Sequence, residues 1–144
     1  MTTREGANNK IYINVNLDGN VEDFYGITFD LVLPPNSVST NPRNGLLNNN
    51  AVSFSLATET WFAESPRDKR HVVNVSTNEE GETTASVAVS RIDGNPASGQ
   101  GSIGQFVIIT EKIELYRTTG SSFEVKNVMA VRPDLSVIPV GIAK

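Results

Sequence analysis

Few residues in this chain of 144 could carry out chemistry. His71 is the sole histidine and there is no cysteine. That removes thiolate catalysis, thiolate zinc sites and disulfide staples together. A histidine-based triad needs a nucleophile and an acid close by. His71 instead sits beside Val72 and Val73 in an alternating stretch, where a structural or surface role is expected. Glu79, Glu80 and Glu82 are the densest carboxylates, but they flank Gly81 in a turn-forming segment. Glycoside hydrolysis needs its carboxylates in a cleft, one with a raised pKa, and a solvated turn supplies neither. No catalytic residue is assigned, and no enzymatic activity is expected.

Binding chemistry has more to work with. Asp18, Asn20, Glu22 and Asp23 gather hard oxygens within six residues, and calcium takes six to eight such ligands. The spacing lacks the glycine and the terminal glutamate of an EF-hand loop. An Asx-rich turn that bonds its own backbone accounts for the same residues, so calcium stands as one expectation beside that turn. Asp93 and Asn95 form a thinner pair of the same kind. The stretch "DGNPASGQGSIG" from Asp93 to Gly104 is glycine-rich. A phosphate cradle would run into a helix and carry a lysine, whereas an apolar strand-like run follows at Phe106. The stretch therefore reads as a long connection, with Asp93, Asn95, Ser98 and Gln100 as candidate partner-binding residues on a loop. Among aromatics, Trp61 and Tyr12 are the candidates for stacking on a sugar ring, and Tyr25 reads as core.

The elements that would position these residues are strands. Ile11, Ile13, Val15 and Leu17 alternate with Tyr12, Asn14 and Asn16, a period of two with one wet face. Asp18-Gly19-Asn20 predicts a turn. Tyr25, Ile27, Phe29, Leu31 and Leu33 alternate with Phe24, Gly26, Thr28 and Asp30 until Pro34-Pro35 ends the run, since proline cannot donate to a ladder. Shorter strands are expected at Val52–Leu56, around Trp61, at His71–Val75, Ala85–Arg91, Phe106–Thr110, Ile113–Tyr116, Phe123–Val131 and Val137–Val140, with a hairpin turn at Asn78–Gly81. No window keeps helical spacing. Thr84, Ser86, Ala88 and Ser90 form a small-residue face opposite Ala85, Val87 and Val89. Such a face suits close approach by a partner helix or a neighbouring domain.

Composition narrows the class further. One domain over 1–144 is expected from length, with 1–9 as a flexible lead-in. The net charge is −4, and Arg67, Lys69 and Arg70 are offset by Glu64 and Asp68. Nucleic-acid binding needs a basic face and is excluded. No apolar run reaches the roughly 18 residues of a membrane helix. Abundant Asn, Ser and Thr beside scarce Lys suit a secreted or cell-surface bacterial domain.

Three stretches together resemble the cohesin-like domain family: "KIYINVNLDGNVEDFYGITFDLVLPPNSV", "TASVAVSRIDGNPASGQGSIGQFVIITEKI" and "FEVKNVMAVRPDLSVIPV". In the first, Gly26, Phe29, Pro35 and Val38 match the family's second strand and the corner that ends it. The middle stretch is similar to the family's strand, long loop and following apolar strand, and the last to its closing strand pair. The resemblance implies a jelly-roll β-sandwich of about nine strands, in a non-catalytic module of a large exported bacterial protein. It also implies that one sheet face binds a protein partner, a dockerin-like module or a neighbouring domain. The fold expected is thus an all-β antiparallel sandwich. The function expected is interaction or scaffolding through Thr84, Ser86, Ala88, Ser90 and the Asp93–Gln100 segment. Polysaccharide binding through Trp61 and Tyr12, and a passive spacer role, are the alternatives.

Overall fold

In the computed structural model the described residues form ten strands: β1 (Thr2–Glu5), β2 (Lys10–Phe24), β3 (Gly26–Leu33), β4 (Val52–Leu56), β5 (Lys69–Thr77), β6 (Thr83–Arg91), β7 (Ala97–Ile109), β8 (Glu124–Val131), β9 (Val137–Pro139) and β10 (Gly141–Ile142). The residues described are 2–35, 38–40, 43, 51–56, 69–91, 97–110, 123–132, 134 and 136–142; at 2, 18–23, 56, 69–70, 97–101 and 141–142 the backbone alone is described. Two five-stranded sheets result, one ordered β1-β2-β7-β4 with β10 also on β2, the other ordered β5-β6-β3-β8-β9. Every strand pair is antiparallel. The chain passes from sheet to sheet at β2–β3, β3–β4, β4–β5, β6–β7, β7–β8 and β9–β10. This is the expected antiparallel β-sandwich, wound in jelly-roll fashion.

The sandwich closes because the greasy phase of each alternating strand turns inward. Ile11, Ile13, Val15 and Leu17 of β2 face Ile27, Phe29, Leu31 and Leu33 of β3, with Ala85, Val87 and Val89 of β6 and Phe106 and Ile108 of β7 in the same buried cluster. Burying each large side chain is worth about 1.5–3 kcal/mol. Phe29 from one sheet meets Phe54 and Phe106 from the other, with ring centroids 5.7 and 6.0 Å away, edge to face. Phe54 and Phe106 are themselves 4.9 Å apart. These three rings tie the layers together at the centre.

Several expectations change. Asp18-Gly19-Asn20 makes no chain reversal: β2 runs through it, paired to β7. Leu17 pairs with Gly101 and Val21 with Gly99, so four steps on β2 oppose two on β7. The turn-forming residues are absorbed as a bulge. The glycine-rich stretch is likewise strand from Ala97 onward, because its residues are paired along the bulged half of β2. Phe24, placed on the wet phase, is fully buried. The chain bends at Tyr25, which is half-buried, not core. That bend resets the alternation, so Phe24 and Ile27 both point inward. Where a flexible lead-in was expected, β1 and a turn fold back on β2. The strands expected around Trp61 and at Ile113–Tyr116 lie outside the described residues.

Two turns follow their sequence. Asn78 Oδ1 accepts from the backbone N–H groups of Glu80 and Glu82, both at 3.0 Å. Gly81 closes this hairpin at φ 85°, a conformation open to glycine. Between β8 and β9, Ser136 donates from Oγ (2.6 Å) and from N–H (2.9 Å) to Asp134 Oδ1. These two bonds, the side-chain one first, hold the Asp134 carboxyl below its ordinary 3.8, with Arg132 adding a smaller attraction.

Candidate functional site

The outward face of the β5-β6-β3-β8-β9 sheet carries the small residues singled out in the sequence. On β6, Ser86, Ala88 and Ser90 are exposed and Thr84 is half-buried, while Thr83, Ala85, Val87 and Val89 are buried. The alternation places all four candidates on one surface. The Ser90 hydroxyl is engaged locally, donating to the Arg91 carbonyl at 3.0 Å.

Strand pairing extends that face in both directions. Ala88 lies between Val72 of β5 and Thr28 of β3, Thr28 pairs with Met129 of β8, and Met129 with Pro139 of β9. This row crosses four strand spacings, about 19 Å. The next row holds Asn74, Ser86, Asp30 and Lys126; another brings Val131 beside Val137. Val72 is 68% exposed, Val137 55% and Met129 38%, and these are the large exposed apolar side chains among the described residues. All three lie on this one face. Val72 and Met129 stand three strands apart, about 14 Å. Between them Ala88, Ser86 and Ser90 of β6 and Gly26 and Thr28 of β3 leave a low floor. The polar end of the face is fixed: Asn127 Nδ2 donates to Asp30 Oδ2 at 2.9 Å. Asn127 holds φ 56° in a β8 bulge, where Thr28 to Asp30 spans Met129 to Lys126.

The opposite sheet presents a different outer surface. Gln105 Nε2 donates to Asn14 Oδ1 at 3.0 Å, and Ser53, Ser55 and Asn16 surround them on the same phase. Tyr12 is half-buried there, with the Arg4 guanidinium carbon 4.1 Å from the ring centroid. One ring face is thereby taken, and Gly6 lies against the ring edge. Trp61, the other aromatic candidate, lies outside the described residues, as do Asp93 and Asn95. Ser98 and Gln100 belong to β7, not to a loop, which corrects their placement; their side chains are not described. Asp18, Asn20, Glu22 and Asp23 are β2 residues, so the turn that was to gather their oxygens is not formed. Their side chains are also outside the description. Among the described residues no group of three His, Asp or Glu side chains could hold a metal ion. His71 is exposed on β5 with its ring edge-on to Phe54, centroids 5.6 Å apart.

Sequence reading found the β6 residues and missed Val72, Thr28, Met129, Val137 and Pro139. The signal was present for Val72, which interrupts the wet phase of "RHVVNVST". Met129 shares its sequence phase with Val125 and Val131, and only the bulge at Asn127 turns it outward. Their union on one surface depends on pairing between strands far apart in the chain. No helix among the described residues is long and apolar enough to cross a membrane. Comparison with protein-family models, curated proteins and solved structures finds no match.

Proposed function

We propose that this chain is a non-catalytic interaction module that docks a protein partner on the outer face of the β5-β6-β3-β8-β9 sheet. The observation that carries the reading is the gathering of Val72, Met129 and Val137 on that single face, around a floor of small residues. Singly exposed apolar residues are ordinary, whereas a patch of them marks interaction surfaces. The trough between Val72 and Met129 is about 14 Å wide, and a helix with its side chains is about 10–12 Å across. A partner helix laid along β6 and β3 would touch both walls. The likeness to cohesin-like domains supports the same face and a dockerin-like or neighbouring-domain partner. The Asn-, Ser- and Thr-rich composition supports an exported bacterial parent protein.

The test uses the purified domain as bait against the secreted proteins of its source, beside two variants. Ala88→Arg fills the trough, and Ser53→Arg places the same charge on the opposite sheet. A partner retained by the wild type and by Ser53→Arg, but lost with Ala88→Arg, is the expected result. Retention by both variants removes the face from consideration. Both substitutions sit on exposed or half-buried outer positions, so stability should stay within about 0.5 kcal/mol of the wild type.

A further inference from the structure

β1 is held on the outer edge of β2, which it shares with β10. Thr2–Glu5 pairs with Ile11–Asn14, and Gly141–Ile142 pairs with Leu17–Asp18. The sequence of β1 is TTRE, without an apolar side chain. Thr3, Arg4 and Glu5 are exposed, with no large apolar side chain among them. Its grip includes a backbone ladder and the Arg4 guanidinium over Tyr12. The β2 residues opposite it, Ile11 and Ile13, are fully buried among core side chains. Thr3, Arg4 and Glu5 thus add no side chain to the buried cluster.

The turn that folds β1 back is costly in backbone terms. Lys10 N–H donates to Ala7 O at 3.3 Å, and Asn8 and Asn9 both hold φ 59°. That is a type I′ turn, with asparagine at both left-handed positions where glycine is favoured at the second. Asparagine tolerates this region better than other side chains but less well than glycine, so two in succession leave a residual cost that an extended segment would release.

We infer that β1 exchanges between two copies of this chain. With Gly6–Asn9 extended, β1 continues straight from β2, and these four residues reach about 13–14 Å. Two such copies lie antiparallel about a two-fold axis through their hinges. The β1 of each pairs with Ile11–Asn14 of the other, and Arg4 of one lies over Tyr12 of the partner subunit. Each copy gives and receives the same strand, so the assembly closes as a dimer. The ladder and the ring contact are kept, and the left-handed turns are gone. The β5-β6-β3-β8-β9 face is on the other sheet and stays open. If the docking reading above holds, the exchanged dimer is bivalent; the exchange itself does not rest on that reading.

The cysteine-free chain allows a direct test. One chain carries Thr2→Cys and another Asn14→Cys, positions paired across β1 and β2. The two are unfolded and refolded together at high concentration, then treated with a short bifunctional thiol reagent. A covalent heterodimer is expected, well above that from Asn14→Cys mixed with Ser76→Cys on the other sheet. A chain carrying both Thr2→Cys and Asn14→Cys shows that the reagent spans the pair. Sedimentation supplies an independent reading. Asn9→Gly relaxes the turn and should lower the dimer fraction about fivefold. Deleting Asn8–Asn9 leaves Ala7 alone between Gly6 and Lys10, which face each other across the turn (Gly6 N–H to Lys10 O, 2.8 Å), and removes an even number of residues, so the faces of β1 stay in phase with β2. That chain cannot fold back in register and should sediment as a dimer. Heterodimer no higher than in the control mixture, or a folded monomer from the hinge-deleted chain at every concentration, overturns the exchange.

Discussion

At the scale of single residues, two positions carry consequences beyond their size. A Cβ added at Gly104 would run into the Phe54 ring and the Ser55 carbonyl oxygen. The backbone of β4 is fixed there by its ladder with β7, and Phe54 is wedged against Phe29 and Phe106. Nothing nearby can yield cheaply. Gly104→Ala should lower stability by about 2–3 kcal/mol, read as a shift of the urea midpoint. Gly81→Ala, strained only by its positive φ in an exposed hairpin, should cost about 1 kcal/mol. Asp134 offers a titration test. Ser136 bonds favour its ionised form, so its folded value lies below the unfolded one. The associated stabilisation is present above the unfolded value and is lost as pH falls through the folded one. Ser136→Ala should raise the Asp134 titration midpoint toward the ordinary carboxylate range in an NMR titration. An unmoved midpoint would leave the bonds without effect.

At the scale of elements, β6 and β8 behave differently. β6 follows strict alternation, and its sequence states both faces in advance. β8 does not, because Asn127 and Val128 together occupy the place opposite Phe29. The bulge brings Val128 and Ala130 into the core and Met129 out to the candidate face. Asn127 serves this bulge twice, by tolerating φ 56° and by bonding Asp30. Asn127→Ala forfeits both and should cost about 1–2 kcal/mol, whereas Asn127→Gly keeps the backbone geometry and should cost less. Denaturation of the two variants side by side checks the order. β2 shows the same lesson at greater length. Asp-Gly-Asn is a local turn signal, yet the pairing of Leu17 and Val21 with the glycine-rich β7 spreads it into a bulged strand. Local preference amounts to about a kilocalorie per residue, and a ladder anchored at both ends outweighs it.

At the scale of the whole molecule, a single buried cluster joins both sheets, so the sandwich should unfold as one unit. Phe29→Ala, which removes the ring bridging the layers, should lower stability by about 3–5 kcal/mol. The transition followed by circular dichroism should stay single, with an unchanged denaturant slope. A further transition would mean that the sheets hold themselves separately. The fold class was legible in the chain by itself, because alternation at Ile11–Leu17, Ile27–Leu33 and Ala85–Val89 is a local property that any strand must satisfy to bury one face. The small β6 surface and the Asn78–Gly81 hairpin were legible for the same reason. The tertiary structure alone decided which strands neighbour one another. It thereby decided that Val72 shares one exposed surface with Met129 and Val137, which lie far from it in the chain, and that β1 rests on the rim of β2. Side-chain period says which face a residue takes. Hydrogen-bond register between remote segments says whose company it keeps, and that is settled by the closure of the core as a whole.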